Sequence, residues 1–433
     1  MALKTPSPWH LDARPMNMGS KACFAARAGI AKRSVLLIVC ASLGLSTVTP
    51  QIALADDASY PPNPLNVEVE SDPLLPELVV DRPLSPQELR VFKAGVAELS
   101  SAGDAALAAG NPEEAFDIWI RELRLRRLLG PYEEVAALKR VGSIAWSERQ
   151  TTEVRIISQR LLEIEIETQT QEPVDYQLLL EIADAYRALR ARQLAVDLYD
   201  TILINARAND DVPTEKQALV ALADLHLSWF DYPNAAIAYE DLLVLARTKG
   251  DKVAEVDALT QLAHIYTEGD QPQDAIAIRT ELVDWYEQRQ EFEQIPVLKI
   301  ANGDDYVDIN RPDLAAPSYQ EAFAVARSVQ YFGYAAEALT KLAELYQSLD
   351  RPDDALVVYQ LLVDVEQQSY NYYGLMNAYD LMGQLHQQRG ANNQALLAYR
   401  QGLDIARQLD FRVGYFRTQV NQVNGSNTAP VNP

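Results

Sequence analysis

Small and apolar residues recur every three or four positions between residues 251 and 290, in two runs separated by a polar break. The first run includes Leu262 and Tyr266, and the second begins at Ala275. This spacing places side chains on one face of an α-helix. The break, residues 269–272, ends in a Pro, which helices accept at their first position. The stretch therefore predicts two helices joined by a tight turn, each with one apolar face.

The same pattern recurs every forty residues, in four columns that stay in phase along most of the chain. The first helix carries a small residue at Gly103, Ser143, Ala183, Ala223, Ala263, Gly303, Ala343 and Gly383. Three residues later come Ala106, Trp146, Tyr186, His226, Tyr266, Tyr306, Tyr346 and His386. The second helix carries Ala115, Ala195, Ala235, Ala275, Ala315, Ala355 and Ala395, then Trp119, Tyr199, Tyr239, Tyr319, Tyr359 and Tyr399, with Arg155, Gln159 and Arg279 as exceptions. Internal repetition of this kind predicts a solenoid of about eight helical hairpins.

These columns resemble the tetratricopeptide repeat (TPR) family, in a forty-residue variant, over about residues 83–410. Two features depart from the family: its Trp near the start of the first helix is mostly Leu here, and the Pro that often closes a repeat is missing. The resemblance implies an all-α fold, a right-handed superhelical solenoid. It also implies that the first helices line a concave groove that binds a protein or peptide.

The predicted solenoid occupies residues 85–423, with an irregular N-terminal cap and a C-terminal capping helix. Residues 1–55 have basic residues up to Arg33, then an apolar run, then Ala53-Leu54-Ala55, as in a secretory signal peptide. The apolar run of about 15 residues is short for a membrane anchor, which needs ~20. Residues 56–84 are rich in Pro and predict an extended tether. The polar residues 424–433 predict a disordered tail.

Charge and motifs narrow the possible functions. The net charge is −23, and removing the leader, which carries +5, leaves −28. Such a chain repels nucleic acid and anionic lipid and favours a partner with a basic segment, or cations. Both cysteines, Cys23 and Cys40, lie in the leader. We find no catalytic or phosphate-binding motif, and we therefore predict a binding protein, not an enzyme. The basic run of residues 121–130 is either a solvated helix face or a docking patch.

The residue after each small residue predicts the partner-binding groove, because the TPR resemblance places it on the concave side. This column includes Asp184, Asp224, His264, Asp304 and Glu344. It predicts an acidic groove that attracts a basic partner.

A metal site is the alternative use of the same groove. His264, Glu268, Asp304 and Asp308 lie on two neighbouring first helices, and each pair is one helical turn apart. Carboxylates with one imidazole suit Mn²⁺ or a similar divalent ion. The four residues predict either a Mn²⁺ site, typical of a periplasmic metal carrier, or a plain acidic surface.

A narrower resemblance rests on the leader, the Pro-rich tether, the Arg-rich cap at residues 112–146 and the acidic repeats together. This combination is similar to cyanobacterial periplasmic, processing-associated TPR proteins of photosystem II biogenesis. It implies an exported assembly factor, in the periplasm or thylakoid lumen, that binds the precursor of the reaction-centre protein, supplies Mn²⁺ and meets the membrane through its partner. A secreted TPR adaptor unrelated to photosynthesis is the alternative.

Overall fold

A computed structural model describes residues 63–66, 72–75 and 84–428, and the predicted leader with its cleavage site lies outside these ranges. The described residues form seventeen α-helices and three short 3-10 turns, with no strand among them. The helices are α1 Pro86–Ala108, α2 Pro112–Arg126, α3 Pro131–Ser147, α4 Thr151–Gln169, α5 Tyr176–Ala188, α6 Arg192–Ala208, α7 Val212–Ser228, α8 Tyr232–Lys249, α9 Lys252–Glu268, α10 Pro272–Arg289, α11 Ile295–Asp308, α12 Pro312–Ser328, α13 Phe332–Ser348, α14 Pro352–Gln368, α15 Tyr372–Gln388, α16 Asn392–Leu409 and α17 Val413–Thr428.

Each helix packs against the next along the chain, and three first helices also contact the first helix of the following hairpin, namely α3 with α5, α5 with α7 and α11 with α13. The sixteen helices α1 to α16 thus form eight hairpins, and α17 packs against α16 at the end. The predicted all-α solenoid of about eight TPR-like hairpins is confirmed. The handedness of the superhelix stays a prediction. No helix within residues 84–428 is long and apolar enough to cross a membrane.

The small and aromatic columns meet inside each hairpin. Where the small residue is glycine, an added Cβ would overlap the ring of the second helix; the pairs are Gly103 with Trp119, Gly303 with Tyr319, and Gly383 with Tyr399. The rings themselves are fully buried at Trp119, Tyr199, Tyr319, Tyr359 and Tyr399. The absence of a larger side chain on the first helix therefore lets the two helices approach closely around the ring.

The second hairpin is displaced by one residue from the predicted register. Gly142, not Ser143, is buried, and Trp146 is 50% exposed while Ala145 is fully buried. The cause is the connection before it, because α2 continues into a 3-10 turn and α3 begins at Pro131, one residue before the forty-residue spacing would place it. The predicted places of Ser143 and Trp146 in the packing columns are therefore wrong.

In α4 the buried positions are displaced by one residue in the opposite direction, and this accounts for two exceptions in the second-helix columns. Ile156 and Arg160 of α4 are buried, and each lies one position beyond the predicted Arg155 and Gln159. Arg160 donates to Glu134 at 2.6 Å from Nε, so a buried ion pair takes the place of the aromatic ring.

The third exception, Arg279, marks a polar junction between the fifth and sixth hairpins. Its side chain is buried and donates to Asn302 at 3.1 Å, to Asp305 at 2.6 Å and to Thr267 at 2.6 Å. The apolar core is divided here, since one group of buried residues ends around Leu282 and the next begins at Ile300. We name Arg279, Asn302 and Asp305 the polar junction.

The described parts of the Pro-rich segment differ from the predicted extended tether. Residues 63–66 pack on α2 and α4, and Leu65 is 1% exposed. Asn63 donates to the carbonyl of Ile156 at 3.0 Å. Leu65 has apolar surface to bury there, which an isolated tether would leave in water. The segment is therefore part of the N-terminal cap at these positions.

The basic run of residues 121–130 is largely used within the chain. Arg121 makes two hydrogen bonds of 2.8 Å to Asp72, and these lower the pKa of that carboxyl. Arg127 donates to the backbone carbonyl of Leu65. These two arginines hold the Pro-rich segment against the cap, which neither of the two sequence interpretations of the basic run anticipated.

The C-terminal end also differs from prediction. Residues 424–428, predicted as part of a disordered tail, continue α17 to Thr428. Residues 429–433 lie outside the described ranges.

Candidate partner-binding face

Side chains bridge successive first helices across one surface, which we call the first-helix face. The bridging ion pairs are Arg140 of α3 with Asp104 of α1 at 3.2 Å, Lys139 of α3 with Asp184 of α5, and Lys341 of α13 with Asp304 of α11 at 3.1 Å. All three acidic partners belong to the predicted groove column. The column therefore lies on a face that neighbouring first helices share.

Two of the predicted groove carboxylates already have cationic partners. Burial opposes ionisation of Asp184, but hydrogen bonds from Lys139 and Arg187 outweigh it and lower its pKa. Asp304 accepts from the Tyr319 hydroxyl at 2.6 Å and from Lys341 at 3.2 Å. These two residues hold the face together and contribute less free negative charge than their number suggests.

Asp224, Glu344 and His264 are exposed on the same face. Within the described residues, neither Asp224 nor Glu344 forms an ion pair. Asp224 interacts electrostatically with Arg187, and Glu344 with Lys341, but neither carboxylate is held in a salt bridge with a described residue. Both carboxylates can therefore still contact a partner.

The four predicted metal ligands are not brought together. Among the described residues, no group of three or more His, Cys, Asp or Glu side chains is placed to hold a metal ion. Asp304, one of the four, is hydrogen-bonded to Tyr319 and paired with Lys341 instead. Glu268, Asp308 and His264 are exposed on their own helices. Mn²⁺ binding stays a prediction from the sequence, with no grouping of donors to support it.

Two cavities open at equivalent positions of two hairpins. The α8 pocket, of about 460 Å³, lies among α7, α8 and α9, and the α14 pocket, of about 350 Å³, lies among α13, α14 and α15. The α14 pocket is lined by Thr340, Leu362, Glu366, Gly374, Asn377, Ala378, Asp380 and Leu381. The residues 120 positions earlier all line the α8 pocket: Val220, Leu242, Ala246, Ala254, Asp257, Ala258, Thr260 and Gln261. The two pockets are thus the same structural position three hairpins apart.

The predicted groove residues flank these pockets. Asp224 follows Val220 by one helical turn, and Glu344 follows Thr340 by the same step. The sequence pattern predicted a column that lies beside both pockets, but it did not predict the pockets. A signal for the second was present, because Glu366 is the one acidic residue in a column that otherwise reads Arg126, Ile166, Ala206, Ala246, Tyr286, Ala326 and Ala406.

The two histidines of the aromatic column are both inside the solenoid to different degrees. His226 is buried and its Nδ1 lies 3.1 Å from Asp231 Oδ2. His386 is half-buried, and its buried Nδ1 has no hydrogen-bond partner among the described residues. Burial, with a smaller contribution from Arg389, lowers the pKa of His386.

Replacing His386 with Tyr, the commonest residue of its column, is expected to stabilise the protein more at acidic than at neutral pH. The unfolded chain has an ordinary His pKa of ~6.5 and binds a proton that the folded chain resists. The contribution of neutral His386 to the free energy of unfolding is therefore fully present above about pH 6.5, and it is lost as the pH falls below that value. Thermal melts of both proteins across this range measure the difference. The control is Gln388→Tyr, because Gln388 is exposed on the same helix. If His386→Tyr raised the melting temperature equally at every pH, the lowered pKa of His386 would be contradicted.

The repeats can now be compared with known proteins. Residues 334–408 match the tetratricopeptide repeat family. This range covers most of α13 to α16, which are two complete hairpins with intact packing columns. A search of curated proteins finds no match.

Solved structures with similar hairpins include helical repeat proteins. MamA is 19% identical over 45% of this chain and 92% of its own, with a TM-score of 0.32. The TPR-like repeats of a putative kinesin light chain from Podosopora anserina are 14% identical over 45% of this chain and 95% of their own, with a TM-score of 0.32. The apo form of RapI is 10% identical over 76% of this chain and 97% of its own, with a TM-score of 0.35.

Proposed function

We propose that this protein is an exported, non-enzymatic TPR-type scaffold that binds a basic segment of a partner protein along its first-helix face. The observation that supports this most directly is the exposure of Asp224 and Glu344, unpaired within the described residues, on a face shared by successive first helices. The net charge of −23 adds a long-range attraction for basic segments. The export part of the proposal rests on the leader sequence.

The narrower resemblance supplies a specific partner for this proposal, the precursor of the photosystem II reaction-centre protein. An adaptor unrelated to photosynthesis would use the same face. Co-purification with the tagged full-length protein from a photosynthetic bacterium separates the two, because only the first would recover the reaction-centre precursor.

Binding of a fluorescent oligolysine peptide is expected to be salt-sensitive and to depend on Asp224 and Glu344. Replacing both, as Asp224→Asn with Glu344→Gln, should weaken binding about three- to tenfold at low salt, since each exposed pair contributes about 0.2–1 kcal/mol. The difference should vanish near 1 M salt, where charges are screened within ~3 Å. Fluorescence anisotropy measures both effects.

A matched control removes the same charge from a second helix. Asp284→Asn with Glu287→Gln changes two exposed acids of α10, away from the first-helix face. If this control weakens binding as much as the Asp224 and Glu344 variant, the partner responds to net charge alone and the proposed face is wrong.

A further inference from the structure

The α8 and α14 pockets occupy the same position in their hairpins but differ in chemistry. The α8 pocket has walls of Val220, Leu242, Leu245 and several alanines. Its four charged lining residues balance, and they are Lys216, Lys249, Asp251 and Asp257. The pocket is therefore neutral and mainly apolar, which suits an apolar side chain.

The α14 pocket is acidic, and none of the described residues that line it is basic. Of its two carboxylates, Asp380 is already paired, with Arg412 at 2.7 Å and with the Tyr415 hydroxyl at 2.8 Å. Glu366 is different: it is 7% exposed and forms no ion pair within the described residues. Its carboxylate accepts hydrogen bonds from the side chain of Asn371 and from Ser369 Oγ, the second at a long 3.4 Å. A buried carboxylate with neutral partners only is costly to ionise, and a cation entering the pocket would remove that cost.

Gly374 makes room for this carboxylate. An added Cβ at Gly374 would overlap Oε1 of Glu366. In the α8 pocket the same two positions are Ala246 and Ala254. The larger Glu366 on α14 is thus matched by the smaller Gly374 on α15, which leaves space for the carboxylate.

We propose that the two pockets are anchor sites for one extended segment of a partner, with an apolar side chain in the α8 pocket and a Lys or Arg side chain in the α14 pocket. This inference rests on the proposed function and specifies its partner. Packed helices lie about 8–10 Å apart. With one such distance for each step from a first helix to the next, the three steps from α7 to α13 span about 24–30 Å. An extended chain covers about 3.3 Å per residue, which separates the two anchors by about eight or nine residues.

The test uses fluorescent peptides of identical composition, with one Leu and one Arg in a Gly-Ser-Ala background. The Leu–Arg separation varies from about four to about twelve residues, in both chain directions. The purified mature-length protein is expected to bind most tightly near a separation of eight or nine, in one direction. Affinity at that separation should exceed the shortest by about tenfold.

Glu366→Gln is expected to remove the maximum of affinity at a separation of eight or nine residues. It should also lower the affinity for the tightest-binding peptide about tenfold or more. It should leave a peptide with Gln in place of Arg unchanged. Asp364→Asn, exposed on the same helix, is the control for lost charge. Glu366→Gln removes a buried unpaired charge, so it is expected to fold, and a thermal melt checks this.

Val220→Asp tests the apolar anchor, with Val244→Asp as control, because both valines are exposed but only Val220 lines the pocket. Val220→Asp should remove the higher affinity of the Leu peptide over a peptide with Ser in place of Leu. It should keep the higher affinity of the Arg peptide over the peptide with Gln in place of Arg. Equal affinity at every separation, with salt-sensitive oligolysine binding retained, would overturn the two-anchor inference and leave the proposed function standing. Loss of oligolysine binding in the wild type would instead overturn the proposed function.

Discussion

Replacing Arg279 with Ala is expected to lower the free energy of unfolding by up to about 3–5 kcal/mol, because it leaves Asp305, whose side chain is 16% exposed, without its cationic partner. The guanidinium joins Thr267 of α9 to Asn302 and Asp305 of α11. It therefore connects the fifth hairpin to the sixth. In a solenoid, stability is a sum of repeat and interface contributions, so weakening one interface also weakens coupling across it. We expect the single denaturant transition to broaden or to separate into two.

A triple variant provides the matched test. Arg279→Tyr with Asn302→Leu and Asp305→Leu installs residues that other hairpins carry at these positions, as in Tyr239, Leu262 and Leu345. Replacing a buried polar set with apolar residues of suitable shape is often neutral or stabilising. We expect this variant to regain at least the wild-type midpoint. If Arg279→Ala unfolds at the wild-type midpoint, the junction does not couple the two halves.

Replacing Gly303 with Ala is expected to cost about 1–3 kcal/mol by overpacking. The added Cβ would overlap the ring of Tyr319, which is buried and anchored through its hydroxyl to Asp304. The ring has no room to move, so the two helices of the hairpin must separate. Equilibrium unfolding in urea measures the loss.

The control is the same substitution at Gly333, in the first turn of α13, where an added Cβ would meet no atom within 4 Å. Alanine is the better helix former, so Gly333→Ala should stabilise by up to about 1 kcal/mol. If Gly→Ala lowers the free energy of unfolding at position 303 and raises it at position 333, then close packing requires a small residue in the first-helix column. Two changes of the same sign and size would contradict it.

Much of the fold was predictable because it depends on short-range periodicity. The three- and four-residue rhythm predicts the helices, and the forty-residue columns predict which faces meet. The forty-residue spacing misplaced Ser143 and Trp146, because α3 begins one residue before that spacing would place it. It also treated Arg279 as a simple exception. The polar residues at positions 302 and 305, in columns otherwise apolar, were the signal that it has partners.

The candidate site was predictable only as a face. The column of Asp184, Asp224, His264, Asp304 and Glu344 follows from helical geometry. Apart from Arg187, which lies three residues after Asp184 on the same helix, the cations that pair with these carboxylates come from helices about forty residues away, as Lys139 and Lys341 do. The pattern along a single helix contains no information about them.

By itself, the sequence determined that this chain is an acidic array of helical hairpins with its small and aromatic residues inside, since these follow from local periodicity and composition. The tertiary structure decided the rest. Residues 63–66 pack on the cap, and Asp184 and Asp304 pair with lysines of other helices. The predicted metal ligands do not form a group, and two equivalent pockets open three hairpins apart. These features depend on contacts between side chains far apart in the chain, and only packing brings such side chains together.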